Sequence, residues 1–83
     1  MRVLYFAWLR QRVGRAEEEV SLPEGVADIG GLMRWLSASS PGHAAAFADP
    51  AQVRMAVNQD FCGAEHPVGD GDEVAFFPPV TGG

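Results

Sequence analysis

The sequence predicts an α+β fold, a mixed β-sheet with one main helix packed across one of its faces. Three observations carry that expectation. Two strand-like segments open the chain, a single helical periodicity follows, and further short strand-like segments close it, an order that suits a two-layer α+β arrangement. The first and last of these strands are the most apolar, which places them side by side in the middle of the sheet, parallel to each other. Finally, 83 residues with 47% apolar content supply one core and one domain, spanning residues 1–83.

From Arg2 to Leu9 the run RVLYFAWL is apolar on both alternating faces, with Leu4, Phe6 and Trp8 on one side and Val3, Tyr5 and Ala7 on the other. A run this short and two-sided reads as a central strand. Gln11 to Arg15, containing Gly14, then forms a loop. Glu18 to Leu22 alternates, with Val20 and Leu22 inward, as the antiparallel return of a hairpin that ends at Pro23-Glu24-Gly25. Asp28 is a good N-cap for the next helix, in which Ile29, Leu32, Met33 and Leu36 recur at i, i+3, i+4 and i+7. This helix ends near Ser39-Ser40, before Pro41-Gly42. Gly30 and Gly31 weaken its first turn, a cost that close packing against the sheet would justify. His43 to Asp49 suits a short second helix or turn anchored by Phe47. Val53, Met55 and Val57 point inward from the next strand, Asn58-Gln59-Asp60 is turn chemistry, and Phe61-Cys62 is a brief strand. The GDGD of Gly69 to Asp72 turns the chain into its final strand.

That last strand and the residues after it organise the functional reading. Val74 and Phe76 lie on one side, Ala75 and Phe77 on the other. If the helix covers Val74 and Phe76, the opposite side is small and apolar around an aromatic, and Ala56 shares it where registers agree. An exposed apolar patch of that kind marks a docking surface. Pro78-Pro79 stops the strand, since neither proline donates to a ladder and both favour an extended path. Val80, Thr81, Gly82 and Gly83 come next, completing a tail from 78 to 83 whose last four residues reach roughly 13 Å when extended. The two glycines lack Cβ atoms and fit a slot that would reject any other residue. The functional atom is then the α-carboxyl carbon of Gly83.

Composition narrows the partners. All six basic residues are arginine, and 11 acidic residues bring the net charge to −5, which disfavours nucleic acid and anionic membrane surfaces. With no lysine, the side chains offer no acceptor amine for conjugation. Cys62 is the one cysteine, so no internal disulfide forms, and the absence of a signal-peptide pattern adds to the expectation of a cytoplasmic protein. No self-contained active site is legible. His43 and His66 sit in turn-like contexts without metal-ligand spacing, and Cys62 reads as packing rather than as a nucleophile. The GDGD turn lacks the lysine and the length of a phosphate loop. Glu17-Glu18-Glu19 reads as a solvated edge.

The VLYFAWLR of Val3 to Arg10, the AVNQ of Ala56 to Gln59, His66-Pro67, and above all the DGDEVAFFPPVTGG of Asp70 to Gly83 resemble the MoaD family of ubiquitin-like sulfur carriers, the small subunits of molybdopterin synthase. The likeness runs the length of the chain. One departure is Arg10-Gln11, where family members often carry Arg-Glu. The resemblance implies the β-grasp fold, with four to five strands. It implies that an E1-like partner uses ATP to adenylate Gly83, that a sulfurtransferase supplies sulfur for a C-terminal thiocarboxylate, and that the large subunit receives it in a heterotetramer of two small and two large subunits. There the sulfur attacks a cyclic pyranopterin monophosphate to build the molybdopterin dithiolene. Gly83 carries the sulfur, Gly82 and Thr81 thread the slot, Val80, Pro79 and Pro78 set the direction, and Phe77 holds the body against the partner. This chain would bind no metal or cofactor of its own. A carrier for thiamine thiazole or another pathway, and a binding module with an inert tail, are the alternatives.

Overall fold

The computed structural model describes residues 1–79. Its five-stranded sheet has the order β2-β1-β5-β3-β4. In the middle, β1 (Arg2–Tyr5) runs parallel to β5 (Glu73–Phe77), with Val3 opposite Val74 and Tyr5 opposite Phe76. On one flank β2 (Glu17–Glu19) returns antiparallel to β1. On the other, β3 (Arg54–Val57) and β4 (Asp60–Cys62) continue the sheet antiparallel. This is the mixed sheet with parallel central strands that the apolar pattern predicts.

Helices cover one face. In α2 (Ile29–Ser37) Asp28 caps the first turn, its Oδ1 accepting from the Gly31 N–H at 2.8 Å, and Ile29, Leu32, Met33 and Leu36 are buried. The short α3 (Pro41–Ala46) is capped by Ser40 and hands the chain to Phe47, whose ring meets Phe76 edge-on at 4.9 Å. These side chains share one core with Val3, Tyr5, Met55, Val57, Val74 and Phe76. Tyr5, Phe76, Val3 and Val74 are at most 1% exposed, each burial worth about 1.5–3 kcal/mol.

Three local expectations are corrected. The opening strand stops at Tyr5 instead of running to Leu9, and the segment expected as strand end and loop forms α1 (Ala7–Val13). Ala7 breaks the strand with a φ of 54°, a left-handed conformation that costs an alanine about 1 kcal/mol. Leu9 is then fully buried and Val13, one turn on, is half-buried, while Arg10, Gln11 and Arg12 face solvent. Gly14 closes the helix at φ 92°, its N–H donating to the Arg10 carbonyl. The apolar run misleads because a continuous stretch this short suits a strand or a helix start equally well. Second, Gly30 and Gly31 do not approach the sheet. Gly30 donates to the Ala64 carbonyl at 2.8 Å, and a Cβ there would lie 3.4 Å from the same oxygen. The segment that comes close is the loop before Pro67, which itself bridges to Asp28.

Third, the Glu17–Glu19 strand is not simply a solvated edge. Glu18, opposite Val3, points to the core side, where its Oε2 accepts from the Tyr5 hydroxyl at 2.8 Å and lies 2.6 Å from His43 Nε2. His43 is thus an inward-facing residue of α3 rather than part of a turn. Its Nδ1 lies 2.6 Å from Ser40 Oγ, so both ring nitrogens have polar partners. The network ties the edge strand β2 to β1 and to α3. Burial alone would push the Glu18 carboxyl up, but the hydrogen bonds from His43 and Tyr5 and the charges of His43 and Arg15 outweigh it and hold it below the usual carboxylate range.

This packing has two measurable consequences. A Cβ at Gly42 would sit 2.6 Å from the Arg12 carbonyl oxygen, where α3 crosses α1. Gly42→Ala should therefore lower stability in urea by about 1–3 kcal/mol, whereas Gly71→Ala, with nothing within 4 Å of the new methyl, should not. Because folding depresses the Glu18 carboxyl, its contribution is present above the unfolded carboxylate value, about pH 4.3, and is lost as pH falls through the folded value. Thermal melting between pH 6 and pH 3 should show an acid limb that is shallower in Glu18→Gln, whose melting temperature at pH 6 should also be lower.

Candidate functional site

Among the described residues the sheet's second face carries no helix, and the ladder registers define its display. Leu4 lies opposite Ala75, Ala75 opposite Ala56, and Ala56 opposite Phe61, so these four residues form one row across β1, β5, β3 and β4. The next row toward the C-terminal end of β5 pairs Phe77 with Arg54. At the other end Arg2 lies opposite Glu73 and Glu19, while Glu17 extends the middle row onto β2, opposite Leu4. The face is therefore apolar and small-residued in the middle, acidic at one end, and aromatic at the other.

Phe77 stands where the side-chain alternation predicts, half-buried on the open face, while Val74 and Phe76 are fully buried beneath the helices. The registers also agree for Ala56 and Ala75, as expected. Pro78 and Pro79 come directly after the strand and are half-buried. Val80, Thr81, Gly82 and Gly83 lie outside the described residues.

Phe61 is the residue that sequence reasoning leaves out. It is 82% exposed, and its ring stands 5.6 Å from that of Phe77. The signal for it is the hairpin. Asn58 and Gln59 have φ of 50° and 73°, the two-residue turn with both central residues left-handed. Such a turn pairs Val57 with Asp60 and so puts Phe61 beside Ala56. Phe6, 49% exposed, flanks the same end of the sheet, where its N–H donates to the Phe76 carbonyl at 3.1 Å. Phe61, Phe77, Arg54, Met55 and Cys62 line a shallow cleft of about 330 Å³ beside the point where the chain leaves β5.

The site has no means of bond-making chemistry within these residues. Among the described residues no group of three or more His, Cys, Asp or Glu side chains is placed to hold a metal. Burial pushes the Cys62 thiol up, and the charges of Glu65 and Asp60 act in the same direction, so it is a poor nucleophile. His66 bonds the neighbouring Pro67 carbonyl. This geometry is suited to binding: an exposed Phe61 beside a half-buried Phe77, with small neighbours, offers an apolar surface to another protein. Among the described residues no helix is long and apolar enough to cross a membrane.

Comparison with known proteins places this geometry in context. The profile of the ThiS family matches residues 3–83. A molybdopterin synthase sulfur carrier subunit from Escherichia coli is 42% identical over 83 residues, covering 100% of this chain and 99% of that protein. One from Mycobacterium tuberculosis is 40% identical over 85 residues, covering 100% and 96%. Among solved structures, a Pyrococcus furiosus protein described as molybdopterin converting factor subunit 1 superimposes with a TM-score of 0.77 at 34% identity, covering 95% of each chain.

An exposed side chain held only by a neighbouring ring should matter little to folding. Phe61→Ala is expected to change unfolding stability by no more than about 0.5 kcal/mol, whereas Phe76→Ala, fully buried, should cost about 3–5 kcal/mol. Parallel urea titrations of the two variants measure the contrast.

Proposed function

This chain belongs to the ThiS family, and from that membership we propose that it does what its curated relatives are named for, as the sulfur-carrier subunit of a molybdopterin synthase. It is a non-catalytic subunit of a multi-subunit sulfur-transfer enzyme, and family membership brings with it a large subunit and an E1-like activating enzyme as partners. The observation that best supports the reading is the position of β5. It lies at the centre of the sheet, and its last residue, Phe77, stands at the aromatic end of a helix-free face.

The chemistry needs the partners. A free carboxylate resists substitution, because its oxygen is a poor leaving group and its charge repels nucleophiles. In our reading the Gly83 carboxylate attacks the α-phosphorus of ATP on the activating enzyme, releasing pyrophosphate and leaving an acyl-adenylate. The terminal sulfur of a sulfurtransferase persulfide then attacks the carbonyl carbon, AMP departs, and a thiol reduces the resulting acyl disulfide so that a thiocarboxylate remains. Its sulfur bonds to the cyclic pyranopterin monophosphate in the large subunit, water cleaves the resulting thioester to return the Gly83 carboxylate, and two carriers in turn supply the two dithiolene sulfurs. Two small and two large subunits form the working heterotetramer. General acids and bases come from the large subunit, since the tail has none. The carrier's contribution is delivery, which holds the nucleophile beside its substrate.

Within this scheme residues 78–83 act as the tail of a single domain. Pro78, Pro79 and Val80 direct it, Thr81 and Gly82 pass through the slot, and Gly83 bears the sulfur. Phe77, joined by Phe61, seats the body on the partner. Burying a phenylalanine that is exposed in the free chain is worth about 1.5–3 kcal/mol.

Deleting Gly83 should abolish molybdopterin formation in a reconstitution with the large subunit, while leaving the melting temperature unchanged. The loaded protein should be heavier by the mass difference between sulfur and oxygen, and that increment should vanish in the deletion variant. Activity surviving the deletion would overturn the mechanism. Phe77→Ala and Phe61→Ala should each weaken binding to the large subunit by about 1–3 kcal/mol in calorimetry.

A further inference from the structure

The open face carries two arginines, and the structure treats them differently. Arg2, at the acidic end, is already satisfied: its guanidinium lies 2.6 Å from a Glu17 oxygen and 3.7 Å from one of Glu73. Arg54, at the aromatic end, is exposed and sits across the ladder from Phe77. Among the described residues no carboxylate lies within 4.0 Å of it, and it donates no side-chain hydrogen bond. Yet it lines the cleft with Phe61 and Phe77. The face is thus electrically polar, with Glu73 and the β2-edge residues Glu17 and Glu19 gathered around Arg2 and the Arg54 guanidinium beside the aromatic pair at the other end.

A partner that covers Phe61 and Phe77 must also take water from Arg54. Leaving that guanidinium dry and unpaired would offset much of the gain from the aromatic contact. A carboxylate on the partner removes the penalty, and a guanidinium fork suits it, offering two parallel hydrogen bonds to its oxygens. The remaining charge pattern demands the opposite at the far end, where the acidic edge needs basic groups or solvent. A partner with this polarity docks in one orientation, with the exit of β5 at its carboxylate-bearing end.

We propose that Arg54 is a specificity anchor that pairs with an aspartate or glutamate side chain on the large subunit, beside the opening that receives the tail. The inference rests on the docking role of this face and adds to it the chemistry of the surface that must meet its aromatic end.

Calorimetric titration of the large subunit with wild-type chain, Arg54→Gln, Arg54→Glu and Phe61→Ala tests it. Arg54→Gln should raise Kd roughly tenfold and Arg54→Glu roughly a hundredfold. The gap between wild type and Arg54→Gln should narrow between about 50 mM and about 500 mM salt, as screening weakens a charge pair. Both arginine variants should melt with the wild type, because Arg54 has no ion pair to lose within the described residues. Replacing the facing carboxylate on the large subunit by lysine should restore binding to Arg54→Glu alone. If both arginine variants bind within about twofold of wild type while Phe61→Ala is weakened, the anchor is wrong and the docking face stands. If Phe61→Ala also binds normally, the docking face falls and the anchor with it.

Discussion

The parallel ladder between β1 and β5 is the constraint on which the rest of the structure depends. It joins the first strand of the chain to the last, so the fold closes only when distant ends of the sequence have paired, as Val3 does with Val74. Both strands lie inside the sheet, and their core-facing residues Val3, Tyr5, Val74 and Phe76 are among the best buried in the molecule. Because the two run the same way, the end of β1 and the end of β5 emerge together. There the Phe6 N–H still bonds the Phe76 carbonyl, even though the chain on that side is already turning into α1.

That arrangement divides the labour between the two faces. Helices and the aromatic contacts of Tyr5, Phe47 and Phe76 cover one face and supply the stability. The other displays Leu4, Ala75 and the exposed Phe61 around the buried Ala56, with no helix over them. A strand that ends in the interior of a sheet has both its ladders satisfied by neighbours. The prolines after it have no N–H to extend either ladder, which ends the strand at Phe77.

The Tyr5–Glu18–His43–Ser40 network serves the covered side. It replaces an otherwise unsupported acidic edge strand with a polar tie between β2, β1 and α3, and no buried side-chain nitrogen or oxygen among the described residues lacks a partner. The lack of lysine adds a chemical consequence. With none in the sequence, no side chain of this protein offers a primary amine to an acylating agent.

Much of this was legible in the residues alone. The spacing of Ile29, Leu32, Met33 and Leu36 behind Asp28 set both the helix and its cap, the alternation in Glu73–Phe77 set which side chains face the core, and the apolar content of the two terminal strands set their central places. These are local periodicities, and local periodicity is written directly in sequence. Other features needed the folded chain. Trp8 and Leu9 continue the apolar run of β1 without a break, so only the turn at Ala7 decides that a helix begins there. Glu18 looks like its neighbours until β2 pairs with β1 and turns that one carboxylate toward His43, 25 residues away. Phe61 becomes the most exposed aromatic on the helix-free face, with Arg54 beside it, only because a hairpin register and a long-range ladder bring them to Phe77. Pairings between distant segments are set by the packing of the whole, and no short window of residues contains them.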